Sequence, residues 1–157
     1  MLPYADTNFF VRLYLSLPKS DLAQDLLNRS RNGKTLALPM TWLLELEIIN
    51  AIELTVFVTR TTGQHRVTPE LAAIAQTTFE VDLAAGEFLA RADCAALELK
   101  AKFRELSFRH TVRGGFRTYD ILHVTSALVL DCEEFWSFDQ KSRNLAGLEG
   151  LRVLPVL

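Results

Sequence analysis

The chain has 157 residues, 49% hydrophobic and 23% charged, which suits one globular domain spanning residues 1–157. A net charge of −2 and a pI near 5.9 exclude a globally basic nucleic-acid binder, so any polyanion contact must rest on a local patch. Cys94 and Cys132 lack metal-ligand spacing and are too few for a disulfide framework; with no secretory leader and no membrane-length apolar run, a reduced, soluble, cytoplasmic protein without membrane association is expected.

In chain order, Leu2 to Asp6 reads as a short buried strand. Thr7 to Leu15 carries Phe10, Val11, Tyr14 and Leu15 at helical spacing, and Pro18 stops it. Ser20 caps a helix bearing Leu22, Ala23, Leu26 and Leu27, which ends near Asn32-Gly33. Thr35 to Leu38 reads as a second strand, broken by Pro39. Thr41 caps a helix from Trp42 to about Thr55, and Val56 to Val58 continue its apolar trend. Thr59 to Arg66, with Gly63, reads as a loop. Thr68-Pro69-Glu70 supplies a cap, a proline at the first position and a first-turn acid, starting a helix to about Leu83 that breaks at Ala84-Ala85-Gly86.

Cys94 to about Thr111 is predicted helical, with Leu97, Ala101, Leu106 and Phe108 facing the core and Gly114-Gly115 ending it. Thr118 caps a helix from Tyr119 to Leu130, with Ile121, Leu122, Val124, Thr125, Leu128 and Val129 mostly buried. Phe135 to Phe138 is a third strand, Gln140 to Leu145 a short helix stopped by Gly147, and Leu151 to Leu154 a final strand. Short apolar strands alternating with helices predict a parallel sheet covered on both faces. Right-handed crossovers place ligand groups at the carboxyl ends of such strands, and Asp6 and Asp139 fall at two of them.

Four acids stand inside apolar stretches: Asp6, Glu47, Asp120 and Asp139. Burying a carboxylate is costly unless something cationic meets it. Those stretches carry no matching set of bases, which points to a divalent ion. A hard ion such as Mg²⁺ or Mn²⁺ takes oxygen ligands and can activate water for in-line displacement at phosphate. Each acid also has a plainer reading. Asp6 and Asp139 can cap the helices that follow them, Asp120 can be a first-turn acid favoured by the helix dipole, and Glu47 can lie on a solvated edge. Glu45, two residues before Glu47, faces nearly the opposite way. Glu47 shares its face with Asn50 and Ala51, so Glu47 is the choice and Glu45 the alternative.

Between Lys100 and Arg117 stand six bases (Lys100, Lys102, Arg104, Arg109, Arg113, Arg117) and one acid, Glu105. A charge run of this kind is often a solvated helix face. Here it leads directly into Asp120. His123, one turn after Asp120, reads as a core histidine with a hydrogen-bond partner rather than a ligand of a hard ion.

Tyr4-Ala5-Asp6-Thr7-Asn8, the Glu-x-x-Asn-Ala pattern of Leu46 to Ala51, Arg117 to Val124, and Phe138 to Ala146 followed by Gly147-Leu148 together resemble the PIN-domain nucleases, and within them the VapC-like toxins of toxin–antitoxin pairs. The resemblance implies a three-layer α/β/α PIN-like fold with a central, mainly parallel sheet of four to five short strands. It implies an endoribonuclease dependent on Mg²⁺ or Mn²⁺. Asp6, Glu47, Asp120 and Asp139 carry over as catalytic and metal-site acids, with Thr7 and Asn8 in support. Ser137 stands where a threonine often precedes Phe-Asp, and keeps the hydroxyl. The resemblance further implies an RNA substrate, a homodimer, and a cognate antitoxin whose tail enters the acidic groove.

Arg109, Arg113, Arg117, Lys141 and Arg143 are the candidate RNA-binding side chains. Two rivals stay open: a catalytically silent module that binds RNA or an antitoxin, and a DNA nuclease or phosphatase built on the same acids.

Overall fold

The computed structural model describes residues 1–32 and 37–157. Five short strands and eight α-helices alternate along it. They are β1 (Pro3–Ala5), α1 (Thr7–Tyr14), α2 (Ser20–Asn32), β2 (Leu38–Met40), α3 (Trp42–Thr62), α4 (Pro69–Ala85), β3 (Leu89–Arg91), α5 (Ala96–Leu106), α6 (Val112–Gly114), α7 (Thr118–Val129), β4 (Glu134–Trp136), α8 (Gln140–Leu148) and β5 (Arg152–Leu154). A π-helical turn, Ser107–Thr111, joins α5 to α6.

All strand pairs are parallel, as the alternation of elements requires. They form two sheets, not the single sheet of four to five strands implied above. One is three-stranded, in the order β1-β4-β5, and the other pairs β2 with β3. The reason lies in Pro39. The Leu38 N–H donates to the Phe88 carbonyl (2.8 Å) and the Met40 carbonyl accepts from Ala92 (3.0 Å), so both residues face β3. Pro39, between them, faces β1, and it has no N–H to give. β2 lies beside β1 without a ladder.

Every residue of β1, β2 and β4 is buried, which requires cover on both faces. Two helix groups supply it: α1 to α4 pack among themselves, and α5, α7 and α8 do likewise. Tyr4, Phe9, Phe10, Phe135 and Trp136 form the aromatic centre of the core. Among the described residues no helix is long and apolar enough to cross a membrane.

Several boundaries differ from expectation. The second strand runs Leu38–Met40 with Pro39 inside it, and the Thr35–Leu36 part of the predicted strand lies outside the described residues. α3 continues through Thr62, because Gly63 in the left-handed region (φ 70°) caps it there. β3 was not expected. Leu97 and Phe108 are exposed rather than buried, and of that helix's four expected core residues only Leu106 is in the core. Gly147 lies within α8 and does not end it.

Candidate active site

The register of β1 on β4 pairs Ala5 with Trp136, so the chain leaves both strands at the same edge. Asp6 follows directly, its N–H donating to the Trp136 carbonyl (3.0 Å). Asp139 arrives three residues after β4. Ser137 joins the two acids: its hydroxyl donates to Asp6 Oδ2 (2.6 Å) and accepts from the Asp139 N–H (2.9 Å). Ser142, in the first turn of α8, carries the relay onward. Its N–H donates to Asp139 Oδ1 (3.0 Å) and its hydroxyl to Asp120 Oδ1 (3.2 Å).

Each aspartate also serves a helix end. Asp6 Oδ1 accepts from the Phe9 N–H (3.0 Å) at the start of α1. Asp139 caps α8 through Ser142. Asp120, in the first turn of α7, accepts the Arg117 N–H at Oδ2 (2.8 Å). The capping readings thus hold together with convergence. Three helix N-termini, each carrying partial positive charge, stand along a row of three carboxylates linked pairwise through Ser137 and Ser142.

Glu47 reaches this assembly from α3. Its Oε2 lies 2.9 Å from His123 Nε2, off the line of the N–H, so that the oxygen is buried without an aligned hydrogen bond. His123 Nδ1 pairs with the Tyr4 hydroxyl (3.1 Å), and Thr7 Oγ1 lies 3.5 Å from Nε2. His123 is therefore a partnered core histidine that ties Glu47 to β1. Glu45 turns away, with Oε2 2.7 Å from Arg91 Nη1. Of the two glutamates, Glu47 is the one that meets His123, one turn after Asp120 on α7.

Burial pushes the Asp6 carboxyl up to about 6; the nearby His123, the Ser137 and Phe9 hydrogen bonds oppose this, and Asp139 adds to it. For Glu47 burial works in the same direction, yet the His123 imidazole and Thr7 hydroxyl outweigh it and hold the carboxyl below its usual range. His123 is the complement: burial disfavours its charge, but Glu47, Asp6 and Asp120 hold its pKa above the ordinary value.

The supporting residues divide by role. Thr7 lies against His123, and Ser137 bridges two acids. Asn8 Oδ1 accepts from Arg12 Nη1 (2.6 Å), so its amide holds Arg12. Arg12 packs over Phe138 and lies near enough to Asp6 and Asp139 for their charge to counter its burial. Neither Arg12 nor Ser142 was singled out from the sequence. Ser142 left one trace, a hydroxyl three residues after a capping aspartate.

The candidate RNA-binding cations are deployed unevenly. Arg143 donates to the carbonyls of Ser137 (2.7 Å), Pro155 (2.9 Å) and Leu154 (3.3 Å), which commits it to holding the C-terminal segment. Arg109 pairs with Glu105 and with Glu149 (2.9 Å). Lys141 Nζ donates to the Gly114 carbonyl (2.6 Å). Arg113 and Arg117 are exposed and make no ion pair among the described residues.

Among the described residues no three His, Cys, Asp or Glu side chains form a compact ion-binding cluster. The acids are joined through hydroxyls and an imidazole instead. Mg²⁺ dehydrates reluctantly and usually takes one or two carboxylates with several waters, so a spread set of oxygen donors fits it. A buried Asp6 whose charge is disfavoured fits a cation, whereas the buried Glu47 oxygen is already met by the His123 imidazole.

No family model matches this chain, and no curated protein matches it. Among solved structures it is similar to VapC20 of Mycobacterium tuberculosis, described as a sarcin–ricin loop cleaving toxin. The two share 15% sequence identity with a TM-score of 0.61, covering 98% of this chain and 99% of that one. At that identity the likeness speaks for architecture alone, and the architecture of this chain is a PIN-like α/β fold.

Proposed function

We propose that the chain is a Mg²⁺- or Mn²⁺-dependent endoribonuclease that hydrolyses RNA phosphodiester bonds as the toxin of a toxin–antitoxin pair. One observation carries this reading: Asp6, Asp139 and Asp120 are linked through Ser137 and Ser142, with Glu47 held beside them by His123. Asp6, Asp120 and Asp139 would hold the ion, directly or through its waters, and Glu47 would orient the attacking water or hold a second ion. When bound, the ion supplies a polarised water and offsets charge building on the phosphate. Ser137 fixes Asp6 and Asp139 relative to one another, and Ser142 does the same for Asp139 and Asp120. Arg113, Arg117 and Lys141 would draw the RNA backbone toward the acids.

RNA is favoured over DNA because the fold is that of a protein described as cleaving the sarcin–ricin loop. The reading includes a cognate antitoxin as partner, a homodimer, and a cytoplasmic location. The test is cleavage of RNA with Mg²⁺ or Mn²⁺ against EDTA, side by side with single-stranded DNA and a phosphomonoester. Asp6→Asn should abolish RNA cleavage and growth arrest on induced expression; a fully active variant overturns the proposal. Failure to bind either ion at millimolar concentration, by calorimetry, would favour a silent RNA- or antitoxin-binding module.

A further inference from the structure

The largest cavity among those described lies beside the acids rather than over them. It is an open groove of about 910 Å³ between the π-helical turn, α6 and α8. That is the size range of small-molecule sites. Its lining carries Arg113, which is unpaired among the described residues, together with Lys141, which donates to the Gly114 carbonyl, and Arg109, which is paired with Glu105 and Glu149. Its floor is the largely buried Phe116 ring with Gly114 beside it, and the exposed Leu148 adds apolar surface at its edge. Gln140 and Asn144 add amides, which both donate and accept hydrogen bonds.

This cavity has a built wall. The π-helical turn adds a residue to the helical path, and such turns occur frequently at functional sites. Here it carries Arg109 and His110 to Glu149, which closes α8; His110 Nε2 lies 2.6 Å from Glu149 Oε1 and Arg109 Nη1 2.9 Å from it. Glu149 is largely shielded from solvent, so this clamp fixes α8 to the turn. The His110 ring meets Phe116 edge-on, and Lys141 Nζ stands 5.7 Å above the Phe116 ring. Gly114 is required here, because a Cβ at that position would run into the Phe116 ring.

An apolar floor under a cationic rim suits a ligand with a flat ring at one end and a phosphate at the other. Inorganic phosphate alone would leave the floor unused, and an apolar ligand would leave Arg113 unused. Gln140 and Lys141 follow Asp139 directly, and Phe116 precedes Arg117 and Asp120 by a few residues, so the cavity adjoins the acids along the chain. We propose that this cavity is a nucleotide subsite, which receives an unpaired base and its phosphate from the strand whose neighbouring phosphodiester lies at the acids. The assignment rests on the nuclease reading for its place along the strand. Occupancy by a mononucleotide is independent of that reading. An RNA bound in this way must present at least one base free of pairing, which selects loops and single strands over continuous duplex.

The test is calorimetric binding in EDTA at low salt, with AMP, GMP, ribose 5-phosphate and inorganic phosphate as probes. A nucleotide should bind about tenfold more tightly than ribose 5-phosphate or phosphate, the size expected when a base gains one packing surface. Arg113→Glu should weaken all four probes. Phe116→Leu should remove the nucleotide's advantage only. Leu148→Asn, at the exposed apolar edge of the groove, tests the packing surface should the Phe116 variant fail to fold. Equal binding of all probes, or binding of none at millimolar concentration, overturns the subsite. A nucleotide advantage unchanged by both floor variants overturns its location. Cleavage assays with Asp6→Asn report separately on the acids, so either claim can fail while the other stands.

Discussion

Asp6→Asn separates stability from activity, and its size follows from the site. The Asp6 carboxyl rises from 3.8 to about 6 in the fold. At 1.36 kcal/mol for each pKa unit, ionised Asp6 costs the ion-free fold about 3 kcal/mol near neutral pH. An amide removes that charge and keeps an acceptor for the Phe9 N–H. It also turns an NH₂ toward Ser137, whose hydroxyl already donates to Asp6 and accepts from Asp139, and this mismatch returns about 1–2 kcal/mol. The net expectation is a gain of about 1–2 kcal/mol, or roughly 2–8 °C in Tm for a chain of this length.

The pH dependence has a definite sign. Near neutrality Asp6 is ionised in both folded and unfolded chains, and the fold bears the full cost. As pH falls from about 6 toward 3.8 the folded carboxyl takes up its proton first, and the cost disappears. The advantage of the variant should therefore shrink through that window. Differential scanning fluorimetry in EDTA across pH measures it. Adding Mg²⁺ should raise the wild-type Tm more than the variant's, because only the wild type offers the charge. A variant less stable than wild type near neutral pH, or an advantage that grows on acidification, would refute the reasoning.

Other substitutions probe the surrounding contacts. Ser137→Ala strands a buried Asp6 oxygen and the Asp139 N–H, and should cost about 1–3 kcal/mol in urea unfolding while reducing cleavage. Arg143→Met removes three hydrogen bonds to backbone carbonyls and should cost about 2–3 kcal/mol, read by the same unfolding. His123 has a raised pKa, so its stabilising charge is fully present below 6.5 and is lost as pH rises through the folded value; in His123→Gln this alkaline loss of Tm should vanish. Gly114→Ala sets a methyl against the Phe116 ring and should destabilise by about 1–3 kcal/mol.

Much of the candidate site's geometry was legible because Asp6, Asp120 and Asp139 sit at element junctions. Asp6 and Asp139 stand where strands end, and parallel pairing of β1 with β4 is enough to make them neighbours. Glu47 was separable from Glu45 because the two point to different helix faces, one toward His123 and one toward Arg91. Thr68-Pro69-Glu70 started α4 as read, with Thr68 Oγ1 accepting from the Leu71 N–H.

The failures also have causes. Thr61 and Thr62 looked like loop residues, yet their hydroxyls donate to the Phe57 (2.9 Å) and Val58 (2.7 Å) carbonyls and the helix persists. β3 buries only Leu89, too little for a strand pattern to show. Leu106 and Phe108 stand two residues apart, so on one helical path only one of them can face the core; Leu106 does and Phe108 faces solvent. Arg12 and Ser142 act through partners distant in sequence, and no local spacing announces them.

Pro39 has a mechanical effect that reaches beyond its own strand. Among the described residues no backbone ladder joins β1 to β2, so the two sheets meet through side chains and through the layer of α1 to α4 that packs across both. Asp6, Asp120 and Asp139 are fastened to one sheet, while the helix bearing Glu47 follows directly from the other. The distance between Glu47 and the three aspartates is therefore set by its contact with His123 and by the packing of α3 on α1, and by no strand register.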